Sequence, residues 1–200
     1  MANRFQHIFL KLALLVLCSQ WVANANAAKL RADNELFDVG ATVGVLNIED
    51  FTSEYVYGLY ATFKASEHYF LQYNFIQTEV GESSFEKNAA SATFAIGENR
   101  TFQHYDLLIG YNIFQGEFYG SGENAHLSNL YIVGGIGNTD FGDESNFTYT
   151  FGVGYQIEFY RKWVTRIDYR DHIYKTSLII GGGEETVQNT QFSLSLGYLF

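Results

Sequence analysis

The chain has 200 residues, with 12 Lys and Arg against 22 Asp and Glu, giving a formal net charge of −10. So acidic a chain is a poor partner for nucleic acid, which calls for a basic face. It has no proline, 19 glycines, 15 tyrosines and 18 phenylalanines, a composition that favours uninterrupted strands.

The first segment reads as an export signal. Arg4 and Lys11 stand in it without any acid, "LKLALLVLC" is an apolar core, and "ANANAA" offers small residues at A-x-A spacing. That is the pattern of a secretory signal peptide, with the cut expected after Ala27. A transmembrane anchor is the other reading, but the run is short for about 30 Å of hydrocarbon. Cys18 is the only cysteine, and it follows Leu17 where a lipoprotein signal wants a small residue. Cleavage would leave residues 28–200 as one domain. That domain has no thiol chemistry, and 10 basic residues in it face 22 acids. It holds no run of 18 apolar residues, hence no expected membrane helix. Its mean hydropathy is near zero, but alternation hides hydrophobicity from an averaging window.

Eight runs then follow with a period of two. "LFDVGATVGVL" (36–46) sets Phe37, Val39, Ala41, Val43 and Val45 against Asp38, Gly40, Thr42 and Gly44. "YVYGLYATF" (55–63) and "HYFLQYNFI" (68–76) are separated by "KASE". "HYDLLIGYNIF" (104–114) sets Tyr105, Leu107, Ile109, Tyr111 and Ile113 against His104, Asp106, Gly110 and Asn112. "SNLYIVGGIG" (128–137) is less regular. "FTYTFGVGYQIEF" (147–159) is the clearest, with seven large apolar residues opposite Thr148, Thr150, Gly152, Gly154, Gln156 and Glu158. "WVTRIDYRDHI" (163–173) and "TQFSLSLGYLF" (190–200) complete the set. Each run suits the roughly 9–11 residues that a tilted strand needs to cross a bilayer.

Connections alternate in length. "KASE" and "YRKW" are short, whereas 47–54, 78–100, 138–146 and 174–190 are longer and polar, the asymmetry of an outer-membrane barrel with short periplasmic turns. The connection at 115–127 is long on the short side, and the sequence offers no reason for it. A soluble sandwich or lipocalin-like barrel would alternate as well. The second face separates the two. It is glycine, serine and threonine rather than lysine and glutamate, as the cramped lumen of an eight-stranded barrel requires. Phe37, Phe63, Tyr69, Phe159 and Trp163 stand at strand ends, where aromatic girdles belong. The fold class expected is all-β, an eight-stranded antiparallel transmembrane barrel in closed up-and-down order.

Phe192, Leu194, Leu196, Tyr198 and Phe200 fall on one parity of the last run. This resembles the C-terminal signature of bacterial outer-membrane proteins, and the resemblance implies recognition by the barrel-assembly machinery. The segment after the signal resembles small OmpA/OmpX-type barrels. "GVGYQIEFYRKWVTRIDYRDHIY" (152–174) more narrowly resembles a group of proteobacterial outer membrane beta-barrel domain proteins. The resemblance implies a monomer in outer-membrane lipid and lipopolysaccharide, with no peptidoglycan-binding domain after Phe200. It carries no settled activity.

The residues that could carry chemistry point inward. Arg166, Asp168, Arg170 and His172 share one parity, and Glu158, His104 and Asp106 are expected to join them. Bare charges in so narrow a lumen are costly unless paired, and Asp168 between two arginines can accept forked hydrogen bonds from either. A salt-bridge plug is the plain reading, and a gated proton or ion path is the other. Asp171 breaks parity and marks the point where its strand leaves the membrane. "HLSN" (126–129) resembles the H-x-S-N stretch of outer-membrane lipid A deacylases. That likeness implies His126 as base and Ser128 as nucleophile, with Asp140 or Glu144 as the acid. The acidic clusters Glu49, Asp50 and Glu54, then Asp140, Asp143 and Glu144, then Glu184 and Glu185 read as solvated loop surface. The other reading is a divalent-cation bridge to lipopolysaccharide phosphates. "GGGEE" and "GGIGN" lack the P-loop lysine. The histidines show no metal spacing along the chain, so neither cofactor nor metal is expected.

Overall fold

Eight strands, each hydrogen-bonded to its neighbours in sequence, close into one antiparallel barrel in which the last strand pairs with the first. The strands are β1 (Phe37–Asn47), β2 (Ser53–Lys64), β3 (Tyr69–Glu79), β4 (Thr101–Tyr119), β5 (Ala125–Phe141), β6 (Glu144–Phe159), β7 (Trp163–Thr176) and β8 (Glu185–Leu199). This computed structural model describes residues 36–49, 53–81, 100–119, 125–141, 144–159, 162–176 and 185–200. The signal segment 1–27 lies outside the described residues, as do Asp50, Asp143 and Glu184.

Alternation dictates which way each side chain faces. Val39, Val43, Leu59, Ile109, Ile132, Phe151, Ile167, Phe192 and Leu196 are exposed on the outer face, whereas Asp38, Thr42, Thr62, Thr150 and Ser195 are buried inside. A soluble barrel would have the opposite polarity, and a belt of this size needs lipid around it. The ladder between β1 and β8 runs from Asp38↔Leu199 to Asn47↔Thr190, and Phe200 N donates to Phe37 O at 2.7 Å. Among the described residues, the closed part of the barrel leaves no strand edge for a bilayer to desolvate.

The turn rim carries aromatic side chains in contact. Phe37 packs on Phe63 at 4.9 Å, Tyr69 on Tyr111 at 5.1 Å, and Trp163 on Tyr198 at 5.4 Å between ring centroids. The β2–β3 turn is tight: Ala65 N and Ser66 N both donate to Tyr69 O, and Ser66 Oγ accepts from Tyr69 N. This rim carries the short turns β2–β3 and β6–β7.

Three expected connections are corrected. The segment 138–146 is mostly strand, because β5 reaches Phe141 and pairs it with Glu144. The segment 174–190 shrinks to 177–184 between β7 and β8, so Asp171 does not end its strand. Above the apolar belt both faces of a strand meet water, so pairing continues after the hydrophobic period stops. The segment 115–127 is also strand over most of its length. The β3–β4 ladder stops at Tyr69↔Tyr111 and the β5–β6 ladder at Ser128↔Ile157, but β4 and β5 pair on to Tyr119↔Ala125. The result is a two-stranded ribbon beyond the turn rim. A register shift between Asn112 and Phe114 sets its base. Asn112 Nδ2 and Gln115 Nε2 both donate to Glu67 O, at 2.8 and 2.6 Å, tying the ribbon to the β2–β3 turn.

Candidate functional site

The lumen is filled in layers. At the turn end, Arg166 on β7 forks onto Asp38 on β1, with Nη1 and Nη2 at 2.7 and 2.8 Å from the two carboxylate oxygens. Its Nε donates to Gln156 Oε1 at 2.8 Å, and its guanidinium lies 4.8 Å from the Tyr60 ring centre. Gln156 Nε2 donates to Glu158 Oε1 at 3.0 Å, and that oxygen also takes Lys64 Nζ from β2 at 2.7 Å. The chain Asp38–Arg166–Gln156–Glu158–Lys64 therefore crosses the lower lumen. Its outer member is half-exposed at Lys64. Glu158→Gln should thus cost less than about 1 kcal/mol in a urea titration of the folded barrel.

The middle layer is mixed. Tyr131, Phe70, Leu108 and Val133 form a small apolar cluster. Tyr131 Oη donates to Asp168 Oδ1 at 2.7 Å, and Arg170 Nη2 reaches the same oxygen at 3.2 Å. Asp168 Oδ2 and Arg170 Nε are buried without a hydrogen-bond partner among the described residues. Above them, Asp106 Oδ1 accepts from Asn74 Nδ2 at 2.6 Å, and Asp106 Oδ2 lies 3.1 Å from His104 Nε2. The His104 and His172 rings meet at 4.3 Å. The outermost layer is apolar, with Leu46, Ile48, Val56, Ile76, Val80, Phe102 and Phe141 packed inside the loop end.

All seven residues expected in the lumen network are there. His104, Asp106, Arg166, Asp168, Arg170 and His172 are buried, and Glu158 is largely so. The pairing differs from the expected one. Asp168 accepts from Arg170 but not from Arg166, whose fork is taken by Asp38. Two inter-strand facts explain this: Asp168 stands opposite Ser193 of β8 and Gly154 of β6, and Gly154 leaves room for the Tyr131 hydroxyl to reach it. Asp168→Ala consequently strands Arg170 and Tyr131 rather than two arginines. Sequence reading placed Asp38 on the inner face and gave it no role. A tally of inward carboxylates against inward arginines was the signal that could have found it.

His126 and Ser128 do share one strand face, and the His126 ring meets that of Phe159 at a tilt, 5.0 Å between centroids. The acids named for their third partner do not come near. Asp140 lies twelve residues along β5, about 40 Å at strand rise, and Glu144 pairs with Phe141 at that same far rim. The implied triad is corrected on this point. Asp140 Oδ1 instead accepts from Asn138 and Ser145, and Glu144 Oε2 from Thr176. Asp171 Oδ2 accepts from Gln188 Nε2. Phe192, Leu194, Leu196 and Phe200 stand exposed on the outer face, with Tyr198 packed between Trp163 and Phe200.

Residues 10–200 match the family described as outer membrane protein beta-barrel domain. No curated protein matches the sequence. Among solved structures, the N-terminal β-barrel domain of Pseudomonas aeruginosa OprF aligns at 12% identity and TM-score 0.47, over 82% of this chain and 97% of its own. Neisserial surface protein A aligns at 8% identity and TM-score 0.45, over 86% and 100%. OprG of Pseudomonas aeruginosa aligns at 13% identity and TM-score 0.47, over 83% and 96%. A closed eight-stranded barrel with an apolar outside and a polar inside is the architecture such a family requires, and the chain belongs to the family of outer membrane protein beta-barrel domains.

Proposed function

We propose that this protein is a sealed, non-enzymatic barrel of the bacterial outer membrane that works through contacts made at its loop rim. The signal peptide at residues 1–27 directs export and is then cleaved. The barrel stands as a monomer in outer-membrane lipid and lipopolysaccharide. The face that carries Phe192, Leu194, Leu196, Tyr198 and Phe200 is what the assembly machinery engages.

One observation carries this reading. The lumen is crossed at one end by the Asp38–Arg166–Gln156–Glu158–Lys64 chain and filled at the other by the cluster around Phe102 and Phe141. An ion would have to strip both layers of their contacts to pass. The loop rim, by contrast, offers a cleft of about 670 Å³ lined by residues of β6 and β7 and by Thr186 of β8. Phe147, Tyr149 and Ile173 give it an apolar side, and Glu144 and Lys175 a charged one, a combination suited to an amphiphile.

Planar-bilayer recording tests the reading. Purified protein should give no discrete conductance steps. Reproducible steps would replace it with a narrow ion or proton pore. Mass spectrometry of lipid A from expressing cells should show unchanged acyl chains, and loss of one would return His126 and Ser128 to a deacylase-like role.

A further inference from the structure

We propose that His104, Asp106 and His172 hold one divalent transition-metal ion, of the zinc class, inside the barrel. The first ground is geometry. One ligand atom from each residue lies within 4.8 Å of the others. Zinc bonds of about 2.0–2.2 Å place tetrahedral ligands about 3.4 Å apart. His104 Nε2 and Asp106 Oδ2 already stand at 3.1 Å, so only the His172 ring has to move, by about an ångström.

Charge is the second ground. Among the described residues, the buried carboxylates are Asp38, Asp106 and Asp168, and the buried guanidiniums are Arg166 and Arg170. Arg166 is committed to Asp38 and Arg170 to Asp168. Asp106 is the third carboxylate, and it faces two imidazoles. Arg170 acts on Asp106 only from a distance while it bonds Asp168, and a bound metal gives the third buried carboxylate a cation in direct contact.

The surroundings of the three residues form the third ground. A ligating histidine needs its second nitrogen held, and a ligating carboxylate needs its second oxygen held. His104 Nδ1 lies 2.8 Å from Thr139 Oγ1, which lies 2.7 Å from Thr148 Oγ1. Asn74 holds the free oxygen of Asp106 at 2.6 Å. His172 has Thr150 Oγ1 on one nitrogen and Gln191 Oε1 on the other, each at 3.0 Å. Either can orient the ring while the opposite nitrogen turns to the ion. Two nitrogens and one oxygen suit first-row transition metals and not calcium or magnesium, which take oxygen sets. Spacing along the chain could not reveal the site, because β4 and β7 bring its halves from different walls of the barrel.

The lumen is closed above and below, so the ion enters as the barrel folds. The experiment is to refold the protein into detergent micelles with Zn²⁺ or Co²⁺, desalt against chelator, and measure metal per folded chain. The gel shift between unheated and heated samples counts folded chains. About one ion per chain is expected. His104→Gln and His172→Gln should lose it, and His126→Ala should keep it. Thr139→Val, nearly isosteric, should weaken retention roughly tenfold or more by freeing the His104 ring. Should neither histidine variant fold, the wild-type Co²⁺ spectrum decides, since ring nitrogens change its visible absorption from that of the hydrated ion. Retention in wild type no greater than in His172→Gln, or a hydrated-ion spectrum, overturns the proposal.

Discussion

Asp38→Ala should cost the barrel about 3–5 kcal/mol, the loss typical when one partner of a buried ion pair is removed. Arg166 is only 1% exposed, and all three of its side-chain nitrogens are committed: two to Asp38 and one to Gln156. Without Asp38 the guanidinium keeps its charge in a site that water does not reach. Urea unfolding in micelles, followed by the fluorescence of Trp163 at the turn rim, would measure the loss. The double variant Asp38→Leu with Arg166→Met should recover most of it, because no bare charge is left. Asp168→Ala should cost less than Asp38→Ala, since its bond to Arg170 is longer, at 3.2 Å, and its Oδ2 has no partner to lose. A double variant as unstable as Asp38→Ala, or a larger loss at Asp168, would refute this ordering of the network.

The contrast between Asp38 and Asp168 shows how far sequence reading reaches. Parity fixes which face a residue occupies, so the seven network residues could be assigned inward from sequence alone. Parity does not say which strands lie within reach across a barrel. Asp168 sits between two arginines in sequence, but the distance that matters to Arg166 is to β1, some 128 residues away. Pairing depends on stagger, and stagger is not written in a single strand.

Strand ends were illegible for a related reason. Alternation arises because one face meets lipid and the other the lumen. Beyond the belt that difference is gone, yet the ladder continues. Asn138, Asp140 and Ser145 look like a loop in sequence, but they form hydrogen-bonded neighbours on β5 and β6. The ribbon of β4 and β5 is the same effect at the other rim. Its register shift comes only between Asn112 and Phe114, so the alternation expected from Tyr105 to Tyr111 holds and the change of parity begins beyond it. The eight strands, their order and their facing were legible because the bilayer imposes them all along the belt.

The seam between β1 and β8 yields a prediction that separates two neighbouring glycines. Gly40 and Gly197 stand opposite each other in the ladder, and Tyr60 pairs with Gly40 from the other side. A Cβ at Gly197 would meet the Tyr60 hydroxyl first, with the ring carbon beneath it at 3.0 Å. A Cβ at Gly40 would meet the Leu196 carbonyl oxygen, the Gly197 Cα at 2.6 Å and a Tyr60 ring carbon at 2.7 Å. Both alanine substitutions overpack the layer, by about 1–3 kcal/mol or more. Only one clash belongs to an atom that can be removed. Tyr60→Phe deletes the hydroxyl and keeps the ring over Arg166, so it should restore much of the folded fraction of Gly197→Ala. It should do nothing for Gly40→Ala, whose obstacle includes the backbone of the closing strand. The readout is the fraction of refolded protein that shifts mobility on heating, with the single Tyr60→Phe variant as reference. Equal rescue of both alanine variants, or none of either, would mean that the two glycines do not carry Tyr60 as a shared lid over the seam.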